Sequence, residues 1–273
     1  MLDILTHRWL RIPYTLHVTY HQKPPKAKAT LLFLHGLGNS GSAWDDVIRA
    51  LPKDIRIVSV DLIGFGQSPR PKWAVYSAKS QARSVLATLV KLRIATPLII
   101  VGHSLGALVA IEMAKRYPLL VDNLILCSPP LYRNDPTRPL QSDNILKSMY
   151  KTAWRYPEKF ARLAAIASKY KLINKVFNVT SENIDSYMAA LHAMVINQTS
   201  LEDAYRLKVP TTILRGSLDP IVVSQNLSHL SKVNNKVSVR HILAGHEVRG
   251  RYVKFVVSAI YDSLDARKRA RDG

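Results

Sequence analysis

The sequence contains a single cysteine, Cys127, among its 273 residues. One cysteine cannot form an intrachain disulfide, and it excludes a metal site built from several cysteines. The uninterrupted apolar runs are four or five residues long, as in 97–101, whereas a transmembrane helix needs about 20. His7, Arg8 and Arg11 interrupt the first 20 residues, so these residues lack the apolar core of a secretory signal. These absences predict a cytoplasmic protein without membrane spans, in a reducing compartment.

Acidic residues are also scarce. Lys and Arg total 39 against 19 Asp and Glu, which gives a formal net charge of +20. Such an excess is typical of proteins that bind nucleic acid, anionic lipid or acidic substrates. No zinc finger, helix-turn-helix or RNA-binding signature accompanies the charge, so no nucleic-acid partner is expected. The stretch 145–176 holds eight basic residues and one acid, Glu158. Two interpretations stay open for it: a solvated exterior, or a weak contact with an anionic membrane surface or an anionic substrate group.

Short apolar runs alternate with helical patterns along most of the chain, and 47% of the residues are hydrophobic. Nearly continuous apolar strands separated by helices are typical of a mostly parallel sheet with helices on both faces, an α/β fold. An antiparallel edge strand is expected within 10–20. The other predicted strands are 29–35, 55–61, 98–101, 123–127, 211–215 and 237–243, and the predicted helices are 42–51, 77–92, 105–117 and 252–265.

Residues 131–209 break this alternation. Four helical segments and no strand are predicted there, which suggests an all-helical lid inserted between two strands of a core formed by 1–130 and 210–273. A lid in this place covers the carboxyl ends of the strands, where open α/β sheets bind ligands. Four lid side chains are candidates for lining a substrate pocket, the alternative being packing within the lid: Trp154, Tyr187, Met188 and His192.

The segment Gly102-His103-Ser104-Leu105-Gly106 follows a predicted strand and opens a predicted helix. This is the context of a nucleophile elbow, in which serine occupies a strained turn between strand and helix. Glycine is required on both sides because side chains there would clash with the strand and the helix. The pattern therefore predicts Ser104 as a nucleophile.

A serine hydroxyl needs a general base, and the base needs a carboxylate that orients it. The chain order for this type of elbow is Ser, Asp or Glu, then His. Asp219 follows a predicted strand 115 residues after Ser104, and His246 follows the next strand 27 residues later. We therefore predict Ser104, Asp219 and His246 as a catalytic triad, with Asp135 as a rival acid. His103 is expected to point away from the tip of the elbow.

An oxyanion hole needs two preorganised N–H donors. The backbone of Leu105, directly after the nucleophile, is one candidate. The other is Leu37, in the loop that follows the strand 29–35. His35 in that loop is expected to brace it.

Together these motifs resemble those of the α/β-hydrolase family, in its group of capped esterases and carbon–carbon hydrolases. The resemblance implies a lid over the site, no metal and no organic cofactor, and a structural role for Asp61. Trp44 also matches a family position. Members that open epoxides or displace halide carry aspartate at the nucleophile position, so the serine disfavours those activities. The motifs are His35-Gly36-Leu37-Gly38, Asp61-x-x-Gly64-x-Gly66-x-Ser68, 102–106, Gly216-x-x-Asp219 and Gly245-His246.

The function expected from these residues is hydrolysis of a small or medium carboxylic ester through an acyl-enzyme. A carbon–carbon bond hydrolase that acts on a ring-cleavage diketone is an alternative, because the same triad serves both reactions. A non-catalytic small-molecule receptor on the same fold is a third reading. The expected partner in the first case is a small-molecule acyl substrate.

Overall fold

A computed structural model describes residues 2–133, 183–196 and 198–272, with a few single positions between 155 and 166. Seven strands form one sheet in the order β1-β3-β2-β4-β5-β6-β7. All neighbouring strands are parallel except β1, which pairs with β3 in antiparallel orientation. The predicted α/β fold with a mostly parallel sheet is thus confirmed. The strands are Val18–Gln22, Thr30–Leu34, Arg56–Val60, Leu98–His103, Val121–Cys127, Thr211–Gly216 and Val237–Ile242.

The helices follow the strands in the order expected for parallel crossovers. A π-helix at Ile4–Trp9 precedes the sheet, a 3-10 helix at Gly41–Trp44 leads into the first α-helix, and a second π-helix covers His192–Ile196. In the described part of the chain the α-helices, here α1 to α7, are Asp45–Arg49, Ala78–Lys91, Leu105–Arg116, Ile184–Leu191, Ser200–Tyr205, Ser224–Val233 and Arg251–Asp272.

The sheet separates two apolar layers. Successive side chains of a strand point to opposite faces, so β2 sends Leu32 and Leu34 to one layer and Leu31 and Phe33 to the other. Helices α2 and α3 pack on the first face, and α1 and α7 pack on the second. All five residues of β2 are buried. Burial on both faces explains why the strands are apolar throughout instead of alternating.

Helix α2 shows how the sequence sets an element boundary. The Ser77 hydroxyl accepts a hydrogen bond from the backbone N–H of Ser80 at 3.2 Å, which satisfies one of the free donors of the first turn. Ala82, Val85 and Leu89 recur at helical spacing and are buried against the sheet. The helix predicted for 77–92 is therefore found at Ala78–Lys91.

Four elements differ from expectation, and one of them is the π-helix Ile4–Trp9, which was not predicted. The edge strand is Val18–Gln22, near the end of the predicted range, and α7 continues to Asp272. Helix α6 was not predicted, because its sequence is rich in serine and asparagine, which favour caps and turns over helix interiors. Its buried face consists of Asn226, Leu227 and Leu230, which is too narrow a stripe to indicate a helix from sequence.

The predicted lid is described only in part. Helices α4 and α5 and the second π-helix lie between β5 and β6, as the prediction requires, but 134–154 and most of 157–182 lie outside the described residues. Trp154, Asp135, Lys147 and Lys151 are among those. Arg155 and Lys159 of the basic stretch are exposed. The division into a core and an all-helical lid at 131–209 stays a prediction.

Candidate active site

The predicted elbow is a strained turn. Strand β4 ends at His103 and α3 begins at Leu105, and Ser104 between them has φ +50° and ψ −117°. L-residues rarely adopt such angles, and the surrounding structure must hold them in place. The Ser104 N–H donates to the carbonyl of Cys127 at 2.9 Å, and its own carbonyl accepts from the Ala107 N–H at 3.0 Å. Bonds to β5 and to α3 therefore fix the turn on both sides.

The two glycines of the elbow are needed for close packing. A Cβ on Gly102 would lie 2.6 Å from the Gly106 carbonyl oxygen, and a Cβ on Gly106 would lie 2.3 Å from the Leu34 carbonyl oxygen. Backbone atoms cannot swing away as flexible side chains do. Helix α3 therefore reaches the sheet only because neither position carries a side chain, which is the physical basis of the sequence pattern.

The three predicted triad residues meet at the carboxyl edge of the sheet. His246 Nε2 lies 3.1 Å from Ser104 Oγ, and His246 Nδ1 lies 2.8 Å from Asp219 Oδ2. The other carboxylate oxygen of Asp219 accepts the backbone N–H groups of Ile221 and Val222 at 2.9 and 3.3 Å. The loops after β4, β6 and β7 supply one residue each. The arrangement is a continuous hydrogen-bonded path from carboxylate to imidazole to hydroxyl.

The charges of this path favour an ionised acid and a basic imidazole. Burial raises the pKa of Asp219, but hydrogen bonds from His246, Ser128 and the Ile221 N–H outweigh it and lower the pKa. Burial lowers the pKa of His246, but the hydrogen bond to Asp219, its charge and the charge of Glu247 outweigh burial and raise the pKa. With Asp219 ionised, the Nδ1 proton of neutral His246 faces the carboxylate. Its Nε2 lone pair then faces the Ser104 hydroxyl.

A second layer of buried polar side chains lies behind the acid, and the sequence reasoning missed it. The Tyr252 hydroxyl donates to the Leu214 carbonyl at 2.7 Å and lies 3.2 Å from Ser128 Oγ. Ser128 is fully buried and has φ +49°. From the sequence, Ser128 could have been noticed only because it follows β5 directly, which places it at the same edge of the sheet as the elbow. Since the Tyr252 proton is directed at Leu214, Tyr252 does not donate to Ser128, and the Ser128 hydroxyl donates to the Asp219 carboxylate.

His103 lies against the site, contrary to the expectation that it points away. Its Nε2 is 2.9 Å from the His246 carbonyl oxygen, and the two ring centroids are 5.1 Å apart. A carbonyl only accepts, so Nε2 of His103 donates and Nδ1 carries no proton. Burial lowers the pKa of His103, which favours this neutral form. The expectation did not take into account the loop that carries His246, which brings its carbonyl group beside the His103 ring. The His103 side chain thereby holds the backbone of His246 in place.

The two predicted oxyanion donors border the same space. Leu105 is the first residue of α3, and the N–H groups of a first helical turn have no intrahelical acceptor. Leu37 lies in a turn closed by a hydrogen bond from the Asn39 N–H to the Gly36 carbonyl at 3.2 Å. A Cβ on Gly36 would lie 3.3 Å from the Ser104 Cβ, so this turn passes directly beside the elbow. Leu37, Ser104 and Leu105 line one cavity.

His35 and Asp61 brace the loops of this edge. His35 Nε2 accepts the Leu62 N–H at 2.9 Å, and its Nδ1 donates to the Gly36 carbonyl at 2.7 Å. Burial lowers the pKa of His35 to about 4, which keeps it neutral. The Asp61 carboxylate accepts the N–H groups of Gly41 and Gln67 at 2.7 and 2.8 Å, and so joins two loops. Neither side chain is among the cavity-lining residues.

A cavity of about 510 Å³ opens above Ser104. Tyr187, Leu191 and Val195 line it from the helical segment between β5 and β6. These three share one helical face because they are spaced four residues apart. Met188 and His192 were predicted to line the pocket, but they do not. Each follows a cavity-lining residue by one position, which rotates its side chain by about 100° around the helix. Met188 is therefore buried in an apolar layer, and His192 is exposed. Of the four lid candidates, Tyr187 alone is described as lining the cavity.

Two polar side chains in the cavity wall were not predicted. Asn39 is 3% exposed, and its Oδ1 has no hydrogen-bond partner among the described residues. Oε2 of Glu247 is likewise buried without a partner in this part of the chain. Buried polar atoms in native proteins are nearly always paired. Both residues line the cavity, and each of these oxygens can accept a hydrogen bond from a donor placed there.

Comparison with known proteins gives the same class as the geometry. Residues 29–186, more than half of the chain, match the family described as the α/β-hydrolase fold, and the chain belongs to that family. An esterase from Exiguobacterium antarcticum has a similar structure, with a TM-score of 0.75 at 14% identity over 93% of this chain and 99% of that one.

Curated relatives match over a shorter stretch. An uncharacterised protein of Mycobacterium tuberculosis is 40% identical over 98 residues, which is 36% of this chain and 28% of the relative. An Arabidopsis thaliana protein named probable lysophospholipase BODYGUARD 4 is 28% identical over 104 residues, 37% of this chain and 25% of the relative. The matches thus span about a quarter of the length of these relatives.

Among the described residues, no group of His, Cys, Asp and Glu is arranged to hold a metal ion. No helix in this part of the chain is long and apolar enough to cross a membrane.

Proposed function

We propose that the protein is a serine hydrolase that cleaves small or medium carboxylic esters through an acyl-enzyme. One observation carries the proposal: the hydrogen-bonded path Asp219–His246–Ser104 ends at the floor of a cavity, with the hydroxyl 3.1 Å from the imidazole. Cavities of roughly 300–1,000 Å³ are typical of small-molecule sites, and this one measures about 510 Å³. Its mostly apolar wall suits an acyl chain.

In the first half of the reaction, Ser104 Oγ attacks the ester carbonyl carbon while His246 Nε2 takes its proton. The carbonyl oxygen becomes an oxyanion, which accepts hydrogen bonds from the backbone N–H groups of Leu37 and Leu105. The carbon–oxygen bond to the alcohol then breaks, and the imidazolium gives its proton to the leaving alcohol. The acyl group stays on Ser104.

In the second half, a water molecule attacks the acyl carbon and His246 again removes the proton. Collapse of the oxyanion breaks the bond to Ser104 Oγ, which takes the proton back from the imidazolium, and the carboxylic acid leaves. Asp219 keeps its charge throughout and stabilises the imidazolium. Each oxyanion donor of this kind contributes about 10²–10³ in kcat.

The helical insertion acts as a lid in this proposal. Its described part supplies Tyr187, Leu191 and Val195 to the cavity wall, which supports a role for 131–209 in covering the substrate. Tyr187 is the lid side chain we assign to substrate binding.

The test is labelling with a fluorophosphonate, which reacts with an activated serine and does not presume the substrate. The wild-type protein and a Ser217→Ala control are expected to be labelled, and Ser104→Ala is not. Ser217 is a matched control because it is an exposed serine two residues before Asp219. Labelling that persists in Ser104→Ala would contradict the proposed nucleophile.

Chromogenic esters of increasing acyl length, measured beside a dienoic diketone, then define the reaction. Turnover of acetate to octanoate esters with little change in the diketone is the expected result. Faster cleavage of the diketone would favour the carbon–carbon hydrolase. Labelling without turnover of either would favour a receptor.

A further inference from the structure

The first residues of the chain expose an unusual amount of apolar surface. Trp9 is 75% exposed and Leu10 is 63% exposed. Buried side chains are absent from the π-helix Ile4–Trp9. Clustered exposed apolar side chains of this size mark an interaction site more often than scattered ones do. Six of the residues from 2 to 12 are large apolar residues with 41% or more of their surface exposed: Leu2, Ile4, Leu5, Trp9, Leu10 and Ile12.

Polar contacts hold this segment to the rest of the protein. The His7 ring stacks on the buried Tyr14 at a centroid distance of 3.7 Å, and the Tyr14 hydroxyl donates to the Asp3 carboxylate at 2.9 Å. The Arg83 guanidinium of α2 donates to the Arg11 carbonyl at 2.8 Å. The segment is thus anchored through its polar groups, while its large apolar side chains face outward.

Acidic residues are scarce along the chain around the segment. Neither 4–44 nor 62–111 contains an Asp or a Glu. The acid that remains at this place is Asp3, whose carboxylate already accepts from Tyr14. Tyr14 also lies 6.1 Å from Trp73, ring to ring, which brings the loop 70–76 and the start of α2 beside the segment. The exposed basic residues here are Arg8, Arg11, Arg70, Lys72 and Lys79. We call 2–16, 70–76 and the exposed side of α2 the N-terminal face.

We infer that the N-terminal face binds the surface of a membrane that contains anionic lipids. Trp9 and Leu10 enter the boundary between headgroups and acyl chains, where tryptophan is favoured, and Arg8 and Arg11 pair with lipid phosphates. A basic surface that also presents large apolar side chains suits this interface. Nucleic acid would pair with the charges but would leave the aliphatic side chains in water. A second copy is disfavoured because each chain carries a net charge of +20.

A hydrogen bond links the N-terminal face to helix α4, which lines the cavity. The Tyr76 hydroxyl, at the end of the loop 70–76, lies 3.2 Å from Ser186 Oγ of α4, and α4 also carries the cavity residues Tyr187 and Leu191. The inference goes beyond the proposed function and does not depend on catalysis.

The test is co-sedimentation with vesicles of phosphatidylcholine alone or mixed with phosphatidylglycerol, at low and physiological salt. Binding is expected to prefer the anionic vesicles and to weaken with salt, because screening shortens the range of the charges. Each Lys or Arg at such a surface contributes about fivefold to partitioning, so Arg8→Gln with Arg11→Gln is expected to bind about thirtyfold more weakly. Trp9→Ser with Leu10→Ser is expected to lose at least about tenfold, because it removes the inserted apolar surface.

Matched controls separate this face from the overall charge. Leu119→Ser with Val233→Ser removes apolar side chains that are 95% and 57% exposed elsewhere. Lys232→Gln with Lys236→Gln removes two exposed charges from the region of α6. Both control pairs are expected to bind within about threefold of the wild type. An unchanged melting temperature and unchanged ester turnover in solution check that each variant is folded.

The inference is overturned if the N-terminal variants bind like the wild type, or if the controls lose as much. In either case the general positive charge explains the adsorption. It is also overturned if the N-terminal variants abolish a dimer seen by sedimentation velocity and leave vesicle binding intact, because the face then covers a second copy. If neither the wild type nor any variant turns over esters, the proposed function is contradicted, and the inference of membrane binding is unaffected.

Discussion

Replacing Asp219 by asparagine is expected to move the proton of the neutral His246 imidazole from Nδ1 to Nε2. Oδ1 of Asp219 accepts two backbone N–H groups, those of Ile221 and Val222, so the carbonyl oxygen of an asparagine must occupy that position. Its NH₂ group then replaces Oδ2, 2.8 Å from His246 Nδ1. An NH₂ group only donates, so Nδ1 must become an acceptor and the proton moves to Nε2. Nε2 then directs a proton at Ser104 and cannot take one.

The expected cost is large in kcat and small in KM. The same substitution in the triad of a serine protease lowers kcat by about 10⁴, and we expect a loss of that order here. KM is expected to change little because Asp219 is not among the residues that line the cavity. The carboxylate charge also raises the pKa of His246. Without it, burial dominates and the pH profile of the residual activity moves to lower pH.

The assay is ester hydrolysis from pH 5 to 9 with the wild type, Asp219→Asn, Ser104→Ala and the double variant. Groups that act as a unit are not additive, so the double variant is expected to be no slower than Ser104→Ala alone. Asp262→Asn serves as control, because this carboxylate is exposed and pairs with Arg240 at the surface. If Asp219→Asn keeps more than about a tenth of wild-type kcat while Asp135→Asn is inactive, the acid is Asp135 and the reasoning fails.

Three further results are expected. Ser104→Ala lowers kcat by about 10⁴–10⁶ without a change in melting temperature, and a residual rate above about a tenth of wild type would point to another nucleophile. The rate constant kcat/KM rises with pH along a limb centred above 6.5, because the pKa of His246 is raised and the imidazole must be neutral to accept a proton; a midpoint below 6.5 would argue against this base. Burial lowers the pKa of His35 to about 4, so below pH 6.5 the unfolded chain binds a proton that the folded chain does not. The free energy of unfolding is therefore expected to fall by about 3 kcal/mol between pH 7.5 and 4 from this residue. In urea titrations at several pH values, the free energy of unfolding should fall less steeply with decreasing pH in His35→Gln than in the wild type. The exposed-site variant His229→Gln should follow the wild type. Equal slopes for His35→Gln and the wild type would refute this assignment.

The elbow and the proximity of Ser104, Asp219 and His246 could be predicted, because the elbow depends on local contacts and each of the three residues follows a strand of the sheet. Gly102 and Gly106 are dictated by backbone contacts within a few residues of Ser104 or on the neighbouring strand. Asp219 and His246 follow directly after apolar strands. The carboxyl ends of parallel strands meet at one edge of the sheet, so residues far apart in sequence could be expected to lie together.

The supporting residues could not be predicted, because their contacts depend on tertiary packing. Ser128 and Tyr252 are 124 residues apart, and the bond between them has no sequence pattern. Asn39 looks like an ordinary turn residue until the cavity is known. The apolar stripe of α4 is wide enough to face both the core and the cavity. The sequence alone does not show which part of the stripe faces the cavity. It therefore does not separate Tyr187, which lines the cavity, from Met188, which is buried in an apolar layer.

The register of the sheet positions the loops that follow β4, β5 and β6. Beyond the end of β4, the Ser104 N–H donates to the last carbonyl of β5 at 2.9 Å; beyond β5, the Ser128 N–H donates to a carbonyl of β6 at 2.9 Å; beyond β6, the Ser217 N–H donates to the last carbonyl of β7 at 2.8 Å. The hydrogen-bond ladder thus continues one residue past each strand. The loops that carry Ser104, Ser128 and Asp219 each start from a fixed point on the neighbouring strand. Loop sequences can therefore vary at this edge while the distances among Ser104, Asp219 and His246 stay set by the pairing of β4 to β7, and a one-residue slip of one of these strands would move the loop after it relative to the others.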